Sequence, residues 1–217
     1  MCVRVLLVDD HTMMRDGLRA LLGSATDIEV VGEARDGRSA LELVRTLAPD
    51  VVVMDFGMPD LNGVEATMRI RAESKSVKVI ALSIYTDRRH VHQMLDAGAI
   101  GYVVKLAAHD ELLQAVRAAG QGRSFLSPEI AGLVVERSSG ALTRGELSAF
   151  ATLGPREREV VQLVAEGKTS AETAQQMHIS VNTVETHRRN IVQKLGLHGT
   201  AELTKYAIRE GLTTLEG

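Results

Sequence analysis

Val51-Val52-Val53-Met54-Asp55, followed by Phe56-Gly57-Met58-Pro59-Asp60-Leu61-Asn62-Gly63, is the stretch on which the fold turns. Four apolar residues in a row, three of them β-branched, read as a strand buried on both faces. The run ends in a carboxylate, and Gly57, Pro59 and Gly63 then impose a loop. In an open parallel α/β sheet, ligands collect at the carboxyl ends of the strands. Asp55 is therefore expected on a functional rim, although the stretch alone also allows a carboxylate that merely caps its turn.

Working outward, the same grammar recurs. Val3–Val8 is a buried strand that runs into Asp9-Asp10-His11. Met13, Met14, Leu18, Leu21 and Leu22 follow at helical spacing. Residues 28–34 are a second strand, and Asp36-Gly37 leads into a helix over about 38–48 that Pro49 terminates. After the Asp55 strand comes a helix near 63–74. Residues 77–82 form a fourth strand ending at Ser83, and a helix over 87–97 stops at Gly98. Residues 100–104 form a fifth strand ending at Lys105, and an amphipathic helix covers 109–120. Strand and helix alternating five times predict a doubly wound, five-stranded parallel sheet.

The strand ends then supply Asp9, Asp10, Asp55, Ser83 and Lys105 to one rim. Clustered carboxylates raise one another's pKa unless a cation joins them. A hard divalent ion with oxygen ligands, Mg²⁺ above all, resolves the repulsion. Lys105 adds a second positive charge and Ser83 a donor, a set suited to holding a phosphoryl group. Asp55, placed centrally, is the natural nucleophile for an aspartyl phosphate. No Walker loop or glycine-rich nucleotide fingerprint accompanies it, so the phosphoryl donor must come from outside.

Composition bounds the rest. With 217 residues and a 45% hydrophobic fraction, the chain has room for one large or two small globular domains. No apolar run reaches the ~18 residues of a membrane span, and the N-terminus reads as a strand instead of a signal peptide. The single cysteine, Cys2, excludes a disulfide framework and cysteine metal clusters. A cytoplasmic protein without membrane contact is expected. The net charge of −3 belongs wholly to residues 1–150, with 17 basic and 20 acidic residues; residues 151–217 hold eight of each. Any DNA binding by the second part must come from a local arrangement of charge.

Residues 1–122 resemble the receiver domain of two-component response regulators. The resemblance lies in Leu7-Val8-Asp9-Asp10-His11, Met54-Asp55-Phe56-Gly57-Met58-Pro59 with Gly63, Ala81-Leu82-Ser83, and Gly101-Tyr102-Val103-Val104-Lys105. It implies that Asp55 accepts phosphate from a sensor histidine kinase. It also implies that Asp10, Asp55 and the Gly57 carbonyl bind Mg²⁺ while Asp9 orients a metal-bound water, and that Ser83 and Tyr102 form a switch pair. The chain departs from the common pattern with Leu106 where many receivers have proline, Ser83 in place of threonine, and Gly57 without a side chain near an attacking water. Gly57 and Tyr85, flanking the site, are expected to set the phosphoryl lifetime.

Residues 123–150 read as a linker that partly packs, with Ser127-Pro128-Glu129 opening a short helix, Ser138-Ser139-Gly140 breaking it, and another short helix over about 143–152. Residues 151–217 then hold four helices. The first opens at Pro155, Ser170 caps the second, Ser180 caps the third, and the fourth begins at Thr200. Two short helices joined at His178-Ile179 form a helix-turn-helix. The residues Leu153, Arg156-Glu157, Gly167, Ile179-Ser180, Thr183-Val184-Glu185-Thr186-His187 and Lys194-Leu195-Gly196 resemble the LuxR-type module of the NarL/FixJ response regulators. By that resemblance Glu185, Thr186 and Arg189 approach base edges of double-stranded promoter DNA, while Lys168, Ser170, Thr183, Arg188 and Lys194 meet phosphates. Thr173 stands where the family has an apolar residue. Ala201, Leu203, Tyr206 and Ala207 are expected to pair two modules in a homodimer formed on activation. A stand-alone phosphotransferase and a phosphate-independent DNA-binding protein remain the alternatives.

Overall fold

The computed structural model describes residues 2–138, 152–197 and 199–213, and the chain divides into two compact units, Met1–Ala141 and Leu142–Gly217. In the first unit the strands are β1 (Val3–Val8), β2 (Ile28–Ala34), β3 (Val51–Asp55), β4 (Lys78–Ser83), β5 (Gly101–Val104) and β6 (Phe125–Leu126), in the order β2-β1-β3-β4-β5-β6. Every pairing is parallel. Parallel neighbours require crossovers, and these are helices α1 (Thr12–Gly23), α2 (Gly37–Leu47), α3 (Gly63–Glu73), α4 (Arg88–Asp96) and α5 (Ala108–Gly120). The two-residue side-chain period divides the strands between two cores. Val5, Leu7, Val51, Val53, Ile80 and Leu82 pack with Leu18 and Leu22 of α1 and Leu112, Ala115 and Val116 of α5. Leu6, Val52, Met54, Val79 and Ala81, all fully buried, face the layer of α2, α3 and α4.

The sheet has one strand more than the five expected. Phe125 and Leu126 extend it beyond β5, pairing with Gly101 and Tyr102, from residues assigned to the linker. Ser127 then fastens the segment. Its backbone N–H donates to the Tyr102 carbonyl at 2.9 Å, its hydroxyl accepts from the Val104 N–H at 3.1 Å, and the same hydroxyl donates to Glu111 on α5. Helix α6 (Pro128–Ser138) follows with Ile130 fully buried, so this half of the linker packs. The helix expected over 143–152 lies outside the described residues save for its last position.

Local signals explain most helix ends. Asp36 caps α2 by accepting from the Ser39 N–H at 2.8 Å, and Asn62 caps α3 by accepting from the Glu65 N–H at 2.9 Å. One expectation for α1 fails: Met13, taken as part of the apolar stripe, is 88% exposed. The stripe begins with Met14 and continues through Leu18, Leu21 and Leu22.

The second unit contains α7 (Pro155–Ala165), α8 (Ser170–Met177), α9 (Val181–Leu195) and α10 (Thr200–Arg209). Their shared core is Val160, Val161, Leu163, Val164, Ala174, Met177, Val184, Ile191, Leu203, Tyr206 and Ala207. His178 closes α8 in the left-handed region (φ 54°), Ser180 caps α9, and Gly196 ends it at φ 64°. Ser170 is not the cap of α8, contrary to expectation. Thr169 is: it accepts from the Glu172 N–H at 3.2 Å while the Glu172 carboxylate accepts from the Thr169 N–H at 2.8 Å, a reciprocal pair that a cap at Ser170 would forfeit. Thr173 is fully buried, with its hydroxyl oxygen unpaired. Leu203, Tyr206 and Ala207 line the unit's own core; among the four residues expected to pair two modules, Ala201 is exposed.

Candidate functional site

Register carries the strand-end residues to one place. Val8 pairs with Met54, so the next residues, Asp9 and Asp55, stand side by side. Asp55 pairs with Leu82 and Ser83 with Val104, so Ser83 and then Lys105 each step one residue further along the rim. Behind Asp55 the loop folds back tightly. The Gly63 N–H donates to the Phe56 carbonyl at 3.0 Å, and a Cβ on Gly63 would lie 1.9 Å from the Asp55 carbonyl oxygen. Glycine is needed here for close approach of backbone to backbone.

The result is a small acidic bowl. Ligand atoms of Asp9, Asp10, His11 and Asp55 all lie within 4.8 Å of one another. Lys105 Nζ bridges Asp9 Oδ2 at 2.9 Å and Asp55 Oδ2 at 2.8 Å, from the single 3₁₀ turn Lys105–Ala107 that opens the β5–α5 connection. Arg15 on α1 steadies the backbone beneath by donating to the Asp9 carbonyl at 2.7 Å while pairing with Glu33 at 3.0 Å.

Electrostatically the bowl is overloaded with negative charge. Burial pushes the Asp55 carboxyl up to about 7; Asp9 and Asp10 push the same way, and Lys105 only partly offsets them. Burial works against the Lys105 ammonium, yet Asp55 and Asp9 outweigh it and hold its pKa above the ordinary value. Asp10 Oδ1 is sealed from solvent and makes no hydrogen bond, although His11 Nδ1 stands 2.9 Å away. Three carboxylates, one with an oxygen left over, fit a hard divalent cation. Gly57 lies half-buried in the loop after Asp55, within the stretch expected to offer a backbone carbonyl. His11 belongs to the same cluster and was not anticipated as a site residue; its place directly after the acid pair was the available signal.

Ser83 and Tyr102 are linked through the backbone of one intervening residue, Tyr85. The Tyr85 N–H donates to Ser83 Oγ at 3.0 Å, and the Tyr102 hydroxyl donates to the Tyr85 carbonyl at 2.7 Å. Tyr102 is fully buried, and burial holds its phenol well above the ordinary value and therefore protonated. Beside this link stands an aromatic trio. The Tyr85 and His90 rings stack at 4.3 Å with 12° between planes, and Phe56 meets both edge-on at 5.5 and 5.0 Å. Three large apolar side chains are exposed close in the chain to the rim residues: Met13, three residues after Asp10, Ile84 (61% exposed) directly after Ser83, and Leu106 (94% exposed) directly after Lys105.

The residues expected to meet DNA do not form one set of free cations. Glu185 accepts from the Ser170 hydroxyl, and Arg188 donates to Ser170 Oγ at 3.0 Å, which ties α8 to α9. Lys194 Nζ donates to Glu157 at 2.7 Å, on α7. Arg189 stays on its own helix, donating at 3.4 Å to the Glu185 carbonyl and at 3.3 Å to the Thr186 hydroxyl. Thr183, Glu185, Thr186 and Arg189 are exposed along one stretch of α9, and Lys168 is half-buried just before α8.

Two family descriptions match the chain: the response regulator receiver domain over residues 5–117 and the bacterial regulatory proteins of the luxR family over residues 151–207. The chain is 39% identical to the transcriptional regulatory protein LiaR of Bacillus subtilis, covering 97% of this chain and 99% of that one. It is 37% identical to the response regulator UvrY of Escherichia coli, covering 99% and 97%. Among solved structures it is similar to the two-component response regulator RcsB in complex with DNA, at 25% identity and a TM-score of 0.60 over 95% of this chain and 98% of that one.

Proposed function

Since the chain belongs to the LuxR-type response regulators of two-component systems, with a receiver and a DNA-binding domain that act in transcription control, we propose that Asp55 is its phosphoacceptor. The observation that carries this is the bridge of Lys105 to both Asp9 and Asp55 beside a third carboxylate, Asp10. In the step itself, an Asp55 carboxylate oxygen bonds to phosphorus while the donor's P–N bond breaks and the departing imidazole takes up a proton. Lys105 and Ser83 hold phosphoryl oxygens as charge shifts onto them. Asp9, Asp10 and Asp55, with the Gly57 carbonyl, would hold Mg²⁺, which supplies charge neutralisation among carboxylates and phosphoryl group. The donor is a sensor histidine kinase. Met13, Ile84 and Leu106, exposed and close in the chain to Asp10, Ser83 and Lys105, support a protein as the donor, because exposed apolar side chains mark interaction surfaces. The receiver's chemistry is confined to its own phosphorylation and dephosphorylation.

Phosphate on Asp55 draws the Ser83 hydroxyl toward it, which costs the Tyr85 N–H its acceptor. The change then reaches Tyr102 through the Tyr85 carbonyl. Tyr102 lies in the strand to which the start of the linker is bonded through Ser127. We retain the division into receiver (1–122), linker (123–150) and DNA-binding domain (151–217), with β6 and α6 (Phe125–Ser138) falling in the linker. The activated protein is a cytoplasmic homodimer that presents α9 to the major groove of promoter DNA. Thr183, Thr186, Arg189, Glu185 and Lys168 are the contacts we favour. Ser170, Arg188 and Lys194 first have to exchange the partners they hold here. No helix among the described residues is long and apolar enough to cross a membrane. The test is uptake of label from acetyl phosphate with MgCl₂, followed by gel filtration and promoter binding with beryllofluoride. Wild type is expected to take up label and dimerise, and Asp55→Asn to do neither. Equal labelling of the two proteins refutes the assignment.

A further inference from the structure

We propose that Ser127, in the segment assigned to the linker, is a positioning residue for Lys105: its buried hydroxyl fastens the end of β5 to α5 and thereby sets the ammonium that serves the phosphoryl group. This role rests on the phosphoacceptor reading above and extends the machinery of that same site beyond residue 122.

β5 ends at Val104, and Lys105 is the next residue. On one side β4 holds the strand to its end, with Ser83 opposite Val104. On the other side β6 pairs with Gly101 and Tyr102 and stops at Leu126, short of the end of β5. Ser127 completes the edge in two ways. Its backbone N–H donates to the Tyr102 carbonyl at 2.9 Å. Its hydroxyl then stands where the next strand acceptor would be and takes the Val104 N–H at 3.1 Å. The hydroxyl proton goes to the Glu111 carboxylate on α5. Ser127 and Val104 are both buried, so water replaces neither partner unless the strand end opens.

Lys105 has an exacting task, because Nζ meets Asp9 at 2.9 Å and Asp55 at 2.8 Å at once. Its backbone opens the 3₁₀ turn Lys105–Ala107, which leads directly into α5. One hydroxyl therefore ties the residue before this turn to the helix after it. Both ends of the short segment from which the ammonium reaches the two carboxylates are fixed by Ser127. Ser127→Ala would leave the Val104 N–H without an acceptor and the Glu111 carboxylate without its donor. The strand end then opens toward water, and Lys105 loses the anchorage of its backbone. A misplacement of about an ångström at such a group costs up to roughly a hundredfold in rate.

The experiment uses the full chain with labelled acetyl phosphate and MgCl₂, and reads the initial rate of label uptake below the melting transition of every variant. Ser127→Ala is expected to take up label roughly tenfold to a hundredfold more slowly than wild type. Glu111→Leu, which removes the tie to α5, is expected to be slow as well. Glu111→Gln keeps an acceptor for the Ser127 hydroxyl and is expected to label near the wild-type rate. Ser127→Ala combined with Lys105→Met should be no slower than Lys105→Met alone, because Ser127 acts through that ammonium. Where Lys105→Met labels too slowly to read, urea midpoints carry the same comparison: Ser127→Ala should cost less stability beside Lys105→Met than in wild type. Ser127→Ala labelling at the wild-type rate overturns the proposal. So does Glu111→Gln as slow as Glu111→Leu, or a Ser127→Ala effect of equal size with and without Lys105. If Ser127→Ala does not fold, the two Glu111 variants decide. If wild type takes up no label, or Asp55→Asn takes up as much, the phosphoacceptor reading falls and this one with it. Differences in rate among labelled proteins bear on Ser127 alone.

Discussion

Asp55→Asn is expected to stabilise the protein in the absence of divalent cations, because the wild-type carboxylate is held in a place that disfavours its charge. In the unfolded chain the carboxyl titrates near 3.8, and in the fold burial lifts it to about 7. Between those values the native state binds more protons than the unfolded state, so stability falls as pH rises through the window. The stability conferred by the neutral acid is fully present below about pH 3.8 and lost by the time pH passes 7. Some three pH units at about 1.4 kcal/mol each amount to roughly 4 kcal/mol at pH 8. Asparagine cannot ionise and has the same shape, but its amide brings a new donor into a buried site at a cost of about 1 kcal/mol. The expected gain at pH 8 is therefore about 3 kcal/mol, shrinking to less than about 1 kcal/mol at pH 5, where the folded wild type is already mostly protonated. Urea unfolding in EDTA at the two pH values reads this directly. Saturating MgCl₂ should shrink the pH 8 gain, because a cation among the carboxylates restores the charged form. An Asp55→Asn protein no more stable than wild type at pH 8, or equally favoured at both pH values, would refute the electrostatic account of the bowl.

Thr173→Val should stabilise the second unit by about 1 kcal/mol, since it removes a buried hydroxyl whose oxygen has no partner and keeps the volume; a rise in its melting transition checks this, and a fall would mean that the hydroxyl is satisfied. Gly63→Ala should cost about 2 kcal/mol or more and, on the proposed role of Asp55, also slow label uptake, because the added Cβ meets the Asp55 carbonyl at 1.9 Å and must displace the loop after Asp55. Urea midpoint and acetyl-phosphate labelling measured on the same preparation separate the two effects.

The rim was legible in the sequence because a parallel sheet makes it a local problem. Each strand is a short apolar run, each run ends in a polar residue, and parallel pairing brings those ends to one side. Asp9, Asp55, Ser83 and Lys105 could be named without knowing a single contact. The errors have a different physical origin. Phe125-Leu126 is too short to show a period of two, and only its neighbour β5 and the three bonds of Ser127 make it a strand. The cap of α8 was misplaced by one residue although Thr169-Ser170-Ala171-Glu172 carries the spacing of a reciprocal cap beginning at Thr169. That shift matters, since it leaves the Ser170 hydroxyl free to reach Glu185, fifteen residues away.

The apolar face of α10 shows the limit from the other side. Periodicity establishes that Leu203, Tyr206 and Ala207 share a stripe, but a stripe does not name its partner, and here the partner is the unit's own core. His90 carried no signal at all, being one polar residue on the outward-reading part of a helix. Its position acquires meaning only because Phe56 and Tyr85, 34 and 5 residues earlier in the chain, arrive against the same ring. Residues whose role follows from their own strand or helix are readable in advance. Residues that act by holding another side chain become readable once the sheet has brought the two together.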